Sequence, residues 1–566
     1  MPIELLTKQG EELLASGETP WNIYPRPQLR RDSYINLNGP WDLTVDSQSR
    51  PIRVPFCPES RLSGVQTHYL EGSCLCYRRR FTLPEDFNRG RVLLHIGAAD
   101  QTAMVYINGH RAGYHEGGYE SFTLDITDFL APENRIEIRC FDDLENQKFP
   151  YGKQVVPEKR GGMWYTPVSG IWQTVWLESV PEEYIHRLNI VCRGASITIS
   201  AEPEIEGKIR IAGLGEYPLG ATITPVNPHF WSPEDPHLYD FTVETASDRV
   251  ASYFALRSLE IKEVDGIPRL CLNGRPYFFH GLLDQGYWPD GLFTPAKPEC
   301  YAEDILAMKA LGFNTLRKHI KIEPEEFYYQ CDRLGMIVFQ DMVNNGSYDY
   351  VRDTVLPTIG FQLAPDRQLH TDPSHRKMFL QSMGAAVDQL KNHPCICCWT
   401  IFNEGWGQFD SDSVYAQLRK LDDTRFIDTT SGWFRGHKTD VDNRHIYLNQ
   451  WWQLKKGKKP VVLSECGGLT YPEEGHIFNP DNAYGYKNCK NHDELNSGLA
   501  DLYRNHLLPA IRQKGLCAAI YTQVSDVEDE VNGLLTYDRR VCKADRAVMT
   551  AIADELQNAI AEKAPV

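Results

Sequence analysis

A chain of 566 residues is too long for one hydrophobic core and predicts two to four domains. Apolar and charged shares of 42% and 24% are those of an ordinary globular protein, and a net charge of −17 excludes nucleic acid and anionic membrane as main partners, since both demand a basic surface. The same sign disfavours an acidic substrate, unless a local basic pocket overrules the global field.

The first stretch, "MPIELLTKQGEELLASGE", is acidic and amphipathic, with no basic start before an apolar run, so it is not read as a signal peptide. No run is long and apolar enough for a membrane span. From about residue 20 to 180 short alternating runs follow one another, such as "VLLHIGAAD", "FTLDITDFL" and "RIEIRCFDD". Asn108-Gly109 marks a tight hairpin turn. The pattern predicts a jelly-roll β-sandwich over 1–182. A second set, "LNIVCRG", "SITISAEPEI", "GKIRIAG", "LYDFTVET" and "ASYFALRSLEI", suits a small immunoglobulin-like sandwich over 183–262.

After "LNGRP" strand candidates alternate with helical stretches. The strands are "YFFHGLLD", "FNTLRKH", "MIVFQDM", "CICCWTIFNE", "RFIDTTSG", "RHIYLNQ", "PVVLSE" and "CAAIYTQ". Eight such units over 263–566 predict a (β/α)8 barrel. The alternative, a doubly wound open sheet, lacks a glycine-rich phosphate fingerprint after its first strand. Fifteen cysteines are scattered along the chain. Cys395, Cys397 and Cys398 have no second pair at zinc spacing and read as small apolar core residues. No metal or other cofactor is expected, and a reduced, cytoplasmic protein follows.

The barrel reading places Asp284, Arg317, Asp341, Glu404, Tyr447, Glu465 and Gln523 at or just past the carboxyl ends of seven different strands, where such barrels carry their sites. Glu404 and Glu465 would face each other across the mouth, and cleavage of a glycosidic bond needs such a pair. Arg317 and Tyr447 could hold one carboxylate ionised. Tyr287, Trp288, Trp406, Trp433, Trp451, Trp452 and Tyr521 crowd the same loops and together suit the flat faces of a sugar, although each alone is better explained by packing under a long loop. His319 and His445 are candidates for substrate contact or equally for satisfied strand-end histidines. No Gly-x-Ser-x-Gly elbow, P-loop or His-Glu-x-x-His offers another chemistry.

"YPRPQLRRDSYINLNGPWDL", "VPFCPES", "GGMWYTPVSGIWQTVWLE", "WSPEDPHLYDFTVE", "GFNTLRKH", "HPCICCWTIFNEGWG" and "VVLSECGG" together resemble glycoside hydrolase family 2, the family of the β-galactosidases, β-glucuronidases and β-mannosidases. The resemblance implies a retaining exo-β-glycosidase. In it Glu404 is the acid/base, Glu465 the nucleophile, Asn403 the holder of the sugar's 2-hydroxyl, and Arg317 and Tyr447 orient Glu465. Asp284, His319, Asp341, Trp406, Trp433, His445 and Gln523 complete the expected substrate-binding set. The carbohydrate substrate is the one partner required. The resemblance also allows a homo-oligomer, because barrel mouths in this family are often finished by loops from a neighbouring domain or subunit.

Two departures bear on the sugar. The uronate-gripping Asn-x-Lys-Gly element of β-glucuronidases is replaced here by "DEVNGLLTYDR", with Glu530 and Asn532 in its key places. The Arg-x-x-His of large β-galactosidases becomes "RKHIKIEP", and their long C-terminal β-domain is lacking. Ordinary glucuronide cleavage is therefore not expected; the expectation is a neutral β-galactoside, with Lys321, near Lys318 and Arg317, keeping a uronate other than glucuronate as the alternative. An inactive carbohydrate-binding barrel is the contrary reading, against which Asn403, Glu404 and Glu465 stand intact.

Overall fold

The computed structural model describes residues 4–356, 361, 365–434, 437–447 and 450–561; the end of the sixth expected strand run, 448 and 449, and residues 1–3 lie outside them. A short helix, Lys8–Ser16, opens the chain, capped by the Thr7 hydroxyl and closed by left-handed Gly17. Thr7 also donates its backbone N–H to Asp290 at 2.9 Å, which moors this helix to the later barrel.

The jelly roll follows as two packed antiparallel sheets. One runs in the order Tyr34–Asn36, Val175–Val180, Arg91–Ile96, Phe122–Asp125. The other runs Gln48–Val54, Gly39–Val45, Cys74–Phe81, Asn134–Phe141, Thr102–Ile107, His110–Glu116. Leu43, Leu94, Val105, Ile136 and Leu177 point into one core; Gly39–Val45 alternates cleanly with polar neighbours facing out, whereas Val175–Val180 is buried on both faces. Asn108 and Gly109 both take positive φ, 52° and 86°, as a two-residue hairpin demands.

The immunoglobulin-like unit pairs Arg187–Arg193, Ser196–Glu202 and Thr222–Ile223 against Gly215–Pro218, Gly207–Ile211, Tyr239–Thr245 and Arg249–Phe254. The run "ASYFALRSLEI" proves to serve two places. Its first half ends this sheet. Its second half begins a hairpin, Leu259–Val264 with Ile267–Leu272, that crosses residue 262 and belongs with the barrel floor. The break falls at buried Arg257, whose guanidinium donates to the carbonyls of Pro394 at 2.6 Å and Ile396 at 2.8 Å. Arg269 of the hairpin reaches the carbonyls of Ile511 and Leu516 in the same way.

All eight expected barrel strands form: Phe279–Asp284, Thr315–Lys318, Ile337–Asp341, Ile396–Asn403, Phe426–Ser431, Asp442–Ile446, Val461–Cys466 and Leu516–Tyr521. Their order around the sheet is five, four, three, two, one, eight, seven, six, all parallel. Strands five and six meet at a seam without a ladder, closed by side chains and by a backbone bond from the Asp440 N–H to the Ile427 carbonyl at 3.0 Å. Asn443 accepts from the Gly432 N–H at 2.8 Å, and Asp440 accepts from that of Ile427 at 2.8 Å. Helices fill most βα gaps, including Glu325–Leu334, Pro373–Leu390 and Arg546–Ala561, but among the described residues no α-helix separates strands five, six and seven, only the 3-10 turn Trp451–Gln453. All fifteen cysteines are free and most are buried, Cys395, Cys397 and Cys398 among them. Among the described residues no helix is long and apolar enough to cross a membrane.

Candidate active site

Arg317, third residue of the second barrel strand, is fully buried on the barrel axis. It donates to Asp341 at 2.9 Å, to Asn403 at 2.8 Å, to Glu465 at 3.1 Å and to the Ser464 carbonyl at 3.0 Å. One guanidinium thus ties together strands two, three, four and seven. His319 contacts the other oxygen of Asp341 at 2.7 Å.

Glu404 enters from the fourth strand by a backbone device. Its φ is +53°, and Gly405 after it has φ +76°. A Cβ at Gly405 would lie 2.3 Å from the Phe434 ring, so only glycine passes there. The turn lifts the Glu404 carboxyl from the strand towards His445, whose Nδ1 lies 2.7 Å from Glu404 Oε1 while its Nε2 lies 2.9 Å from the Ser431 hydroxyl. Tyr447 then bridges the acids, donating to Glu465 Oε2 at 2.5 Å and lying 3.2 Å from Glu404 Oε1.

Oxygens of Glu404 and Glu465 and a nitrogen of His445 lie within 4.8 Å of one another. This is also the one group of its kind among the described residues close enough to ligate a cation. Arg317, 3.1 Å from Glu465, makes it an unfavourable place for one. Burial alone would raise the Glu465 carboxyl, but the charges of His445, Arg317, His319 and Lys153 prevail and hold it at about 2. Burial and the two carboxylates push the Tyr447 phenol well above its ordinary value, so it stays a donor.

The structure therefore brings Arg317, His319, Asp341, Asn403, Glu404, His445, Tyr447 and Glu465 into one connected cluster. Trp433 joins it edge-on to His445, ring centres 5.8 Å apart. Trp406 lies just past Glu404 with its indole N–H 3.2 Å from the Tyr151 hydroxyl. Gln523, past the eighth strand, has both amide atoms buried without a hydrogen-bond partner among the described residues.

Asp284 is not brought to the pair. It stands in register with Lys318, and both side chains leave the barrel outwards, bonded to each other at 2.6 Å. The Lys318 ammonium sits 4.2 Å over the Phe327 ring of the surrounding helix layer. Lys321 is likewise buried, held by the carbonyls of Gly286 and Phe293 and by Glu323 at 2.9 Å. Neither lysine lines the mouth. Of the other aromatic candidates, Tyr287 packs on Tyr165, Trp288 lies under Arg539, the Tyr521 hydroxyl accepts from the Leu469 N–H, and Trp451 stacks on His506.

Sequence reasoning missed a contribution from the jelly roll. Its loop 144–168 lies across the barrel mouth: the Gly346 N–H donates to the Gln147 carbonyl at 2.9 Å, the Tyr151 hydroxyl to the Gly346 carbonyl at 2.6 Å, and the Tyr165 hydroxyl to Glu530 at 2.5 Å. Trp164 packs edge-on against Trp406 at 4.8 Å and Tyr348 at 5.2 Å, making an aromatic wall beside Glu404. The aromatic cluster in "GGMWY" was the available signal.

Three comparisons bear on this architecture. Residues 267–561 match the family model described as glycosyl hydrolases family 2, TIM barrel domain; residues 55–158 match its galactose-binding domain-like model, and 194–257 a third model of that family. A β-galactosidase of Thermoanaerobacter pseudethanolicus is 24% identical over 446 residues, 71% of this chain and 54% of the relative. The chain spans about half the length of the first curated relatives it matches, 54%, 47% and 40%. Among solved structures, a β-glucuronidase of Ruminococcus gnavus superposes with a TM-score of 0.74 at 16% identity, covering 94% of this chain and 98% of that one. A β-galacturonidase of Eisenbergiella tayi, solved with galacturonate bound, gives 0.68 at 17% identity, covering 94% and 99%.

Proposed function

The chain belongs to glycosyl hydrolase family 2, and on that premise we propose that it is a retaining exo-β-glycosidase. The observation that carries this reading is the Tyr447 hydroxyl shared between two carboxyls whose oxygens approach within 4.8 Å. Carboxyls roughly 5–5.5 Å apart suit attack by one of them on the sugar, whereas inversion needs roughly 6.5–9.5 Å for an intervening water. Glu465, kept ionised by Arg317 and Tyr447, attacks the anomeric carbon and forms a glycosyl ester. Glu404 gives a proton to the departing oxygen, then takes one from the water that cleaves the ester. Asn403 is fixed by Arg317 and presents its amide to the sugar's 2-hydroxyl.

The sugar is proposed to be a β-hexuronide. Solved structures covered to 98–99% of their chains carry the names β-glucuronidase and β-galacturonidase, while the β-galactosidases matched in sequence are covered to 54% and 47% of theirs. The acid expected to repel a uronate is less forbidding than its sequence position implied. Glu530 accepts from Tyr165 at 2.5 Å and from Asn532 at 2.9 Å, and burial raises its carboxyl. A neutral β-galactoside is the second reading, favoured by Glu530 and Asn532 standing in place of the usual clamp. Aryl β-D-glucuronide, galacturonide, galactoside, glucoside and mannoside, assayed side by side with NMR of the first-formed anomer, test both levels. A β-anomer first supports retention, and an α-anomer first ends it. Turnover of galactoside alone would replace the uronide reading, and no turnover of any substrate from pH 4 to 9 would favour a binding protein.

A further inference from the structure

We infer that Lys153, carried by the jelly roll, is the residue that receives the anionic group of the sugar. The inference rests on the uronide reading above and names the side chain that makes it possible.

The position is set by backbone contacts on three sides. Tyr151 donates its N–H to the Asn344 carbonyl at 3.2 Å, in the loop after the third barrel strand. Gly152 has no room for a side chain: a Cβ there would lie 3.0 Å from the Ile320 carbonyl, next to His319 after the second strand. The Lys153 carbonyl accepts from Tyr165 at 3.1 Å, and the Tyr165 hydroxyl grips Glu530 after the eighth strand. Residue 153 is thus held over the mouth between the loops that follow strands two, three and eight. Its side chain is half-buried, and among the described residues no carboxylate comes within ion-pair distance of its ammonium. Its charge is nonetheless felt by Glu465, His319 and Glu530.

The other cations of this region are committed: Arg317 to Asp341 and Glu465, Lys318 to Asp284 and Glu323, Lys321 to Glu323. A half-buried ammonium with no anion paired to it among the described residues, held over the mouth and near enough for its charge to reach Glu465, is suited to pair with a carboxylate on the substrate, where a hydrogen bond between charged groups is worth the most. The clamp would then come from the N-terminal domain, replacing the missing barrel lysine.

The test compares kcat/KM for aryl β-hexuronides and the matching neutral aryl β-hexosides in wild type, Lys153→Gln and Lys153→Arg. The glutamine variant should lose about ten- to a hundredfold on uronides, largely through KM, and less than about threefold on neutral sugars. The arginine variant should keep most of the uronide rate. Inhibition by free hexuronic acid should weaken in parallel. A wild type that cleaves uronides with a glutamine variant equally able would sink Lys153 and spare the uronide reading. Equal losses on both substrate classes would overturn the inference and leave Lys153 acting only through the Glu465 carboxyl or the loop. A wild type that cleaves only neutral hexosides would overturn the uronide reading and this inference with it.

Discussion

Arg317 and Lys318 are neighbours on one short strand, and they anchor two buried ion networks with opposite fates. Arg317 turns to the barrel axis and joins Asp341, Asn403 and Glu465; Lys318 turns to the helix layer and joins Asp284 and Glu323, with Lys321 and Tyr301 completing the set around Glu323. The residue types are nearly the same. The outward network closes on itself, each ammonium meeting carboxylates or carbonyls. The inward one leaves Glu404 partly exposed and Gln523 unpaired. Burying charge is costly in both places. In one the charges buy a rigid wall; in the other they face a reacting molecule.

The largest expected effect belongs to the inward set. Glu465→Gln should lower kcat by at least about 10⁴-fold on every substrate, read by steady-state assay, since no other group can attack. Next is Glu404→Gln. With a poor leaving group kcat/KM should fall by about 10²–10⁴-fold, while a dinitrophenyl glycoside is largely spared and added azide restores turnover as the β-azide. Azide rescue of the Glu465 variant instead, with α-azide as product, would exchange the two roles.

The outward set should answer in stability. Lys321→Met leaves two carbonyls and part of Glu323 unpaired and should cost about 3 kcal/mol in urea unfolding. It should change kcat/KM by less than about threefold on any sugar. A selective loss on uronides would mean that the two networks communicate.

The smallest effect is a pair of pH dependences of the same sign at opposite ends of the pH scale. Burial lowers the folded Lys321 ammonium to about 8, below its unfolded value, so the unfolded chain binds more protons above pH 8. The stability of wild type relative to Lys321→Met should therefore rise with pH from about 8 to about 10.4. Glu465 is depressed to about 2, so its contribution is complete above about pH 4.5 and drains away as pH falls towards 2. Wild type compared with Glu465→Gln should accordingly lose its advantage over that acid window. Unfolding titrations of both variants read the slopes directly.

The same strand explains what could be read from residues alone. Eight apolar runs separated by helical periods are enough for the barrel, and an acid ending an apolar run, as in "CICCWTIFNE", marks the rim. The face on which Asp284 stands could not be read. A strand buried on both sides has no polar alternation to reveal its parity, so Leu283 and Asp284 are equivalent candidates until Arg317 and Lys318 fix the register. Lys153 was invisible for another reason, and Trp164 showed only as an aromatic residue of "GGMWY" with no place assigned to it. They lie in an irregular loop of a different domain, and only docking brings them to the mouth. The aromatic crowd was over-read: Trp288 and Tyr521 are buried structural rings, whereas Trp406 and Trp433 stand beside Glu404 and His445.

The grip on that loop has a temporal side. Thr166 and Arg160 hold on to Glu528, and Tyr165 to Glu530, so the carboxylates that fasten the jelly-roll loop lie more than 360 residues beyond it in the chain. Domains of a long chain fold largely in order of synthesis. The sandwich is therefore complete while its loop still lacks the anchors it will use, and the segment after the eighth strand both closes the barrel and draws the wall into place. The aromatic wall beside Glu404 is thus set only after the eighth barrel strand has been made.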